Sequence, residues 1–170
     1  FKLLEEVKFA VIRGNISEIK TVSRGSGTTK GVDADVSDAV TEKNLDETIS
    51  FAKELSAKTK TIIVITGAID IVTDSNKTYI IRNGHPMMSK VSGTGCMVTA
   101  VIAAYCAANP ENHLDATAAA VCAMGLSGEL AYEKLVKHDA GSSSYRTYLI
   151  DAMSKMDAKT LEGGARIESR

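Results

Sequence analysis

The chain has 170 residues, of which 44% are hydrophobic, and its 20 basic and 21 acidic side chains leave a net charge of −1. This length and composition favour one globular domain and exclude a disordered chain. The balanced charge and the low aromatic content, 5% with no tryptophan, argue against nucleic acid or a membrane surface as a partner.

Three cysteines, Cys96, Cys106 and Cys122, show no paired spacing. Their odd number favours a reducing, cytoplasmic compartment over a disulfide scaffold. The longest apolar run, from Met97 to Ala108, is too short to span a bilayer. These features predict a cytoplasmic protein without a membrane partner.

The start of the chain predicts a helix followed by a short strand. Apolar residues at helical spacing predict the last turns of a helix in Lys2–Lys8. The apolar run Phe9–Ile12 predicts a buried strand that runs into a turn at Arg13. Glu18 stands three residues after Asn15, the spacing of a capping box at a helix start.

The middle of the chain predicts a loop, a helix and a buried strand. Glycine and polar residues predict a loop or flap over Arg24–Asp38, and apolar spacing predicts a helix over Leu45–Ala57. The β-branched run Thr61–Gly67 predicts a strand buried on both faces, which is typical of a mainly parallel sheet. The next segment predicts a hairpin around Asp74–Lys77.

The last part of the chain predicts mainly helices. A helix is expected to begin near Cys96, a long alanine-rich helix to cover Leu114–Val136, and a last helix to cover Tyr145–Met156 before a polar tail. Gly125 and Gly128 interrupt the long helix, where they allow close packing or the approach of a ligand. Strands that alternate with helices predict the α/β class.

The stretch "SGTGC" places glycines directly before an apolar helix. A helix start presents unpaired backbone N–H groups and a partial positive charge, and glycine lets a phosphate approach the backbone closely. A phosphoryl group could therefore be bound by the backbone of Gly93, Thr94, Gly95 and Cys96. A plain glycine-rich turn into a buried helix has the same sequence pattern. The helix start would favour the thiolate form of Cys96, which would make Cys96 a base or nucleophile. The alternative is that Cys96 is a small buried residue with a packing role.

Three further side chains are candidates at the ends of the two buried strands. Arg13 follows the first strand, and a guanidinium there suits a phosphate. Thr66 ends the second strand, where its hydroxyl could bond a phosphate oxygen. Glu18 could hold a Mg²⁺-bound water or could merely complete the capping box with Asn15.

Taken together, "EEVKFAVIRGNISEI", "VITGAIDIV", "RNGHPMMSKVSGTGCMVTAV" and "CAMGLSGELA" resemble hydroxyethylthiazole kinase, a ribokinase-like family of thiamine salvage. The resemblance implies a mainly parallel central sheet flanked by helices. It also implies ATP-dependent phosphorylation of the hydroxyl of 4-methyl-5-(2-hydroxyethyl)thiazole, with Mg²⁺, by homotrimers whose active sites lie at subunit interfaces.

The resemblance also assigns roles to individual residues. Arg13 and Thr66 would contact the ATP phosphates, Glu18 would belong to the metal-binding N-x-x-E, and Gly93 would contact the thiazole. Cys96 stands where most ribokinase-like kinases carry a catalytic aspartate. The segment Met124–Glu129 would lie near the adenine.

Family members carry roughly a hundred further residues before "EEVK", so residues 1–170 are expected to be the C-terminal portion of a single ribokinase-like domain. Two alternatives stay open. One is a ribokinase-like relative with another substrate, a hydroxymethylpyrimidine kinase or an ATP-dependent hydrate dehydratase; those usually carry an aspartate where Cys96 stands. The other is a non-catalytic module that binds nucleotide or assembles with a partner.

Overall fold

The computed structural model describes residues 2–24 and 39–170, so most of the predicted loop Arg24–Asp38 lies outside the described residues. The elements in chain order are α1 (Lys2–Glu6), β1 (Val11–Gly14), α2 (Ile16–Arg24), α3 (Leu45–Thr59), β2 (Ile62–Ile65), β3 (Asp70–Thr73), β4 (Thr78–Ile81), a 3₁₀ helix (Pro86–Lys90), α4 (Thr94–Ala108), α5 (His113–Lys137), α6 (Ser142–Ser154), α7 (Ala158–Gly164) and β5 (Ile167–Ser169).

The described strands form one five-stranded sheet in the order β1-β2-β3-β4-β5. β2 pairs parallel with β1 and antiparallel with β3. The predicted α/β class is confirmed, but the mainly parallel pairing is confined to β1 and β2 in this part of the chain. The reason is that β3 and β4 are joined by the short turn Asp74–Lys77, and a turn of this length can only reverse the strand direction.

The chain forms two compact units, one that extends to Ile80 and includes Glu168–Arg170, and a second that comprises Ile81–Ile167. The core of the first unit lies between one face of the sheet and two helices, α2 and α3. Its buried members include Ile16, Ile19, Leu45, Ile49, Ala52, Leu55, Ile63, Ile65, Ile69, Ile71 and Ile80. The alternation of Ile63 and Ile65 along β2 is what directs this apolar set to a single face.

The second unit is built around α5, the long alanine-rich helix, with α4 and α6 packed against it. Small residues are required along α5 because its neighbours approach closely. A Cβ atom at Gly125 would lie 2.7 Å from the carbonyl carbon of Asn83, and one at Gly128 would meet the Met88 side chain. The hydroxyl of Tyr145 donates to the Gly128 carbonyl at 3.0 Å. Of the two explanations offered for the glycines in this helix, the structure therefore shows close packing.

The predicted polar tail is wrong, because residues after α6 form α7 and β5. Asp157 caps α7 by accepting a hydrogen bond from the Thr160 N–H at 2.8 Å. At the end of the chain, Thr78 and Arg170 exchange two backbone hydrogen bonds of 2.8 and 2.9 Å. A three-residue strand is too short for hydrophobic periodicity to reveal it.

No helix within residues 2–24 and 39–170 has both the length and the apolar character that a membrane crossing requires.

Candidate active site

Arg13 lies inside β1, not after it. The strand was expected over Phe9–Ile12, but it begins at Val11 and continues to Gly14. The shift arises because the backbone of Val11–Gly14 pairs with Ile62–Ile65 of β2, and this pairing continues through the polar Arg13. Strand length is thus set here by the neighbouring strand and not by the apolar run.

The strand register places Arg13 and Thr66 on one face of the sheet. Arg13 is the partner of Val64 in the parallel pair, and Thr66 follows Val64 by two residues, so alternation directs both side chains to that face. Val72 opposes Val64 in the antiparallel pair, and Asp70 precedes Val72 by two residues. The face opposite the isoleucine core therefore carries a guanidinium, a hydroxyl and a carboxyl group at the end of β2.

The backbone of Thr66 continues the ladder beyond the end of β2. Its N–H donates to the Gly14 carbonyl at 2.9 Å, and its hydroxyl donates to the same oxygen at 3.4 Å. The second distance is long for an O–H···O bond, which makes it a weak interaction. The Thr66 hydroxyl can therefore turn to a stronger acceptor, such as a phosphate oxygen, at little cost.

Asp70, the first residue of β3, is a candidate that the sequence analysis missed. Its Oδ1 accepts the Gly67 N–H at 2.8 Å, which closes the turn between β2 and β3. Burial raises the pKa of Asp70 to about 7, while the Gly67 N–H and the positive charge of Arg13 act in the opposite direction. In the sequence, Asp70 is an acidic residue in an apolar segment that follows a buried strand and its turn. This pattern is the signal that could have revealed Asp70 as a candidate.

Asn15 and Glu18 form the predicted capping box. The Glu18 N–H donates to Asn15 Oδ1 at 2.8 Å, and the Asn15 N–H donates to Glu18 Oε2 at 2.7 Å. The box sets the start of α2 immediately after β1, as the local spacing predicted. The box occupies one carboxylate oxygen of Glu18. The expected role of Glu18 in binding a metal ion stays a prediction.

In the second unit, Gly93 is the residue at which α4 begins. Its φ of 95° lies in the left-handed region, where a side chain would be strained, and its carbonyl accepts the Met97 N–H at 2.9 Å. As the N-cap residue, Gly93 has no side chain with which to cap the helix. Thr94 instead donates its hydroxyl to the carbonyls of Met88 and Val91, at 3.3 and 3.5 Å. The expected anion hole at Gly93–Cys96 stays a prediction.

The three cysteines differ in exposure. Cys96, in the first turn of α4, is exposed, whereas Cys106 and Cys122 are buried. The Cys106 thiol lies 3.4 Å from the Thr117 hydroxyl, and the Cys122 thiol donates to Asn83 Oδ1 at 3.2 Å. Cys96 is therefore the thiol that can meet a reactant, and the other two serve packing.

A polar network around Asn83 and Glu129 was also missed by sequence reasoning. The Asn83 amide donates to Glu129 Oε1 at 3.1 Å, and its Oδ1 accepts the Arg166 N–H at 2.7 Å. Arg166 makes a two-pronged contact with Glu129, at 2.7 and 2.9 Å. These partners are far apart in sequence, and no local pattern links them.

A family model described as the hydroxyethylthiazole kinase family matches residues 1–159. The chain belongs to this family. The stated resemblance is thereby confirmed over nearly the whole chain.

Individual members of the hydroxyethylthiazole kinase family are similar throughout the chain. A hydroxyethylthiazole kinase of Clostridium acetobutylicum is 58% identical over 168 residues, which cover 99% of this chain and 61% of the relative. One from Clostridium tetani is 43% identical over 166 residues, or 98% of this chain and 59% of the relative. The chain therefore spans about three fifths of the length of these relatives.

A solved structure supports the ribokinase-like fold of the family. The hydroxyethylthiazole kinase protein from Pyrococcus horikoshii OT3 superposes with a TM-score of 0.77 at 26% identity, and the match covers 94% of this chain and 54% of that one. The roles expected for Arg13, Glu18, Thr66, Gly93 and Cys96 concern individual side chains, and they stay predictions.

Proposed function

We propose that the whole protein transfers the γ-phosphoryl group of ATP to the hydroxyl of 4-methyl-5-(2-hydroxyethyl)thiazole. The observation that carries this proposal is the polar face at the end of β2, where the strand register puts Arg13 and Thr66 on one side of the sheet in a chain of the hydroxyethylthiazole kinase family. Phosphoryl transfer depends mainly on positioning and charge neutralisation, and a guanidinium with an adjacent hydroxyl supplies both.

Arg13 and Thr66 would bind the phosphates of ATP. The planar guanidinium can contact two phosphate oxygens at once, and the Thr66 hydroxyl, held only weakly by the Gly14 carbonyl, can turn to a third. Gly93 would contact the thiazole, and the N–H groups of Thr94, Gly95 and Cys96 would form the anion hole for the phosphoryl group in transfer. Cys96 would accept the proton of the substrate hydroxyl.

Glu18 fits a magnesium ion that is held mainly by water and phosphate. The described residues contain no cluster of three His, Cys, Asp or Glu side chains, so they form no cage for a metal ion. Magnesium is commonly bound by one or two carboxylates together with substrate phosphates and waters. The capping box uses Oε2 of Glu18, which leaves Oε1 for a metal-bound water. The ion would neutralise charge on the phosphates.

The family membership also supports a homotrimer with active sites at subunit interfaces and a cytoplasmic location, and we include both in the proposal.

A coupled assay of ADP release with the thiazole alcohol as acceptor tests the activity. We expect turnover with the thiazole alcohol and little with a hydroxymethylpyrimidine. Turnover of the pyrimidine alone would assign the protein to the other kinase activity, and binding of ATP without turnover of either alcohol would identify a non-catalytic module.

Replacement of Glu18 by glutamine separates its two roles. Glutamine preserves the capping box, so the helix start and the thermal stability should stay close to those of the wild type. If Glu18 holds a metal-bound water, the Mg²⁺ concentration for half-maximal activity should rise about tenfold, the scale found for residues that orient metal ligands. The measurement is a Mg²⁺ titration of ADP release at saturating ATP.

The matched control for this variant is Glu47→Gln, which changes an exposed glutamate in the first turn of α3. Its Mg²⁺ titration should coincide with that of the wild type. An unchanged titration for Glu18→Gln as well would show that Glu18 is a capping residue and has no part in metal binding.

A further inference from the structure

One face of α5 contacts the segment that leads into α4. Glu129 and Tyr132 are three residues apart, so both lie on one side of this helix. The Gly84 N–H donates to Glu129 Oε1 at 2.6 Å. The ring of the next residue, His85, stacks on that of Tyr132, with 3.6 Å between the ring centroids. These contacts lie within the second unit, and they hold the beginning of the segment from Gly84 to Gly93, which we call the lead segment.

The turn at Gly84 depends on the Glu129 carboxylate. β4 ends at Ile81, so Gly84 lies beyond the strand, and its φ of 134° is a conformation that residues with a side chain rarely adopt. A half-buried backbone N–H that has left a sheet requires another acceptor. Glu129 supplies it, and a bond of 2.6 Å has the short length that is typical of a charged acceptor.

Glu129 is itself held from several sides. Its side chain is only 18% exposed, and its two oxygens accept N–H groups of Arg166 at 2.7 and 2.9 Å. Oε1 also accepts the Asn83 amide at 3.1 Å. Arg166 is fixed in turn, because its guanidinium donates to the Arg82 carbonyl at 2.7 Å. A glutamine at this position would offer one oxygen to these donors and turn its own N–H groups toward Arg166, so the arrangement requires a carboxylate.

The lead segment extends this anchoring to the start of α4. His85 Nδ1 accepts the Met87 N–H at 3.1 Å and so caps the 3₁₀ helix Pro86–Lys90. The Met88 carbonyl of that helix accepts the Thr94 hydroxyl at 3.3 Å, and Thr94 is the first residue of α4. One short helix thus links the anchored beginning of the lead segment to the first turn of α4.

We propose that Glu129 is a positioning residue, which fixes the lead segment and thereby the place at which Gly93 and the first turn of α4 meet the substrate. This inference rests on the proposed function, in which Gly93 contacts the thiazole and the first turn of α4 binds the phosphoryl group in transfer. Glu129 touches no reactant in this assignment. It acts through geometry, since a displacement of about 1 Å at a reacting group can lower the rate about a hundredfold.

Hydrogen–deuterium exchange of the whole protein, followed by mass spectrometry, tests the anchoring without reference to activity. In Glu129→Ala, peptides from residues 84–97 should exchange about tenfold faster than in the wild type, the scale of one charge-assisted hydrogen bond. Peptides from α6 should stay within about twofold, because the opening is local. The Arg166 side chain is 52% exposed, so water can solvate its guanidinium once Glu129 is removed, and the variant should fold.

The kinetics of the same variant test the consequence for catalysis. The ratio kcat/KM for the thiazole alcohol should fall about 10–10²-fold. The dissociation constant for ATP should change by less than about twofold, because the proposed phosphate contacts, Arg13 and Thr66, belong to the first unit. A residue that serves only global stability would lower the amount of folded protein and leave both constants of the folded enzyme unchanged.

Replacement of Glu129 by glutamine separates the contact with Gly84 from the ion pair. Glutamine keeps an oxygen for the Gly84 N–H and loses part of the contact with Arg166. The exchange rate of residues 84–97 and kcat/KM of Glu129→Gln should therefore lie between those of the wild type and those of Glu129→Ala.

Two variants on the same helix complete the set. Tyr132→Leu removes the ring that stacks on His85 and removes no charge, so residues 84–97 should exchange about two- to tenfold faster. Lys134→Ala is the matched control, because it breaks another ion pair of α5, with Asp151 at 3.6 Å. It should change neither the exchange of residues 84–97 nor kcat/KM.

Several results would overturn the inference. In Glu129→Ala they are unchanged exchange of residues 84–97, equal acceleration throughout the protein, or faster local exchange with an unchanged kcat/KM. Equal behaviour of Glu129→Gln and Glu129→Ala would also overturn it, since the effect would then come from the ion pair with Arg166. If the wild type phosphorylates no thiazole alcohol, only the proposed function is overturned, and the exchange rates still decide whether Glu129 fixes the start of α4.

Discussion

Replacement of Cys96 by alanine should lower kcat of the whole protein about 10²–10⁴-fold, the usual contribution of a general base. The thiol is exposed in the first turn of α4. Total loss is not expected, because loose transition states of phosphoryl transfer need little help from a base. The measurement is kcat for ADP release at saturating substrates.

Three companion variants sharpen this prediction. Cys96→Ser should resemble alanine, because a hydroxyl is a poor base. Cys96→Asp should remain active, because a carboxylate suits a helix N-terminus and serves this purpose in related kinases. Cys106→Ala removes a buried thiol that contacts Thr117, and it should keep kcat within about twofold. Full activity of Cys96→Ala would show that this cysteine only shapes the turn.

The second large effect concerns stability. Gly125→Ala should reduce the free energy of unfolding by about 2–4 kcal/mol, through overpacking and the loss of buried hydrogen bonds. The added Cβ would lie 2.7 Å from the carbonyl carbon and oxygen of Asn83. Backbone atoms cannot move aside as a flexible side chain can, and Asn83 is also held by Cys122 and Arg166. Urea denaturation followed by circular dichroism measures the change.

Gly163→Ala is the control for this variant. Gly163 lies in the α7 helix, and no atom stands within 4 Å of the Cβ that alanine would add. This substitution should be neutral or stabilise by up to about 1 kcal/mol, because it restricts the unfolded chain. Equal effects of the two substitutions would mean that Gly125 has no special packing role.

Local patterns predicted the elements whose signals lie within a few residues. The capping box of Asn15 and Glu18 needs only its own turn of chain, and both of its hydrogen bonds are present. The buried strand β2 and the hairpin around Asp74–Lys77 were likewise predicted, since a β-branched run and a polar turn are short-range features.

Features that depend on distant partners could not be predicted in this way. The end of β1 at Gly14 is set by pairing with β2, about fifty residues later in the chain. The charge state of Asp70 depends on its burial in the fold, which composition does not reveal. The contact of Arg166 with Glu129 joins α5 to the segment after α7. The polar residues around Arg166 in the sequence do not predict this contact.

The difference in exposure among the three cysteines also makes the protein convenient for labelling. A maleimide dye would react with Cys96 first, since the other two thiols are buried. Among the three cysteines of this chain, Cys96 is therefore the one that would carry a fluorophore, at the start of α4.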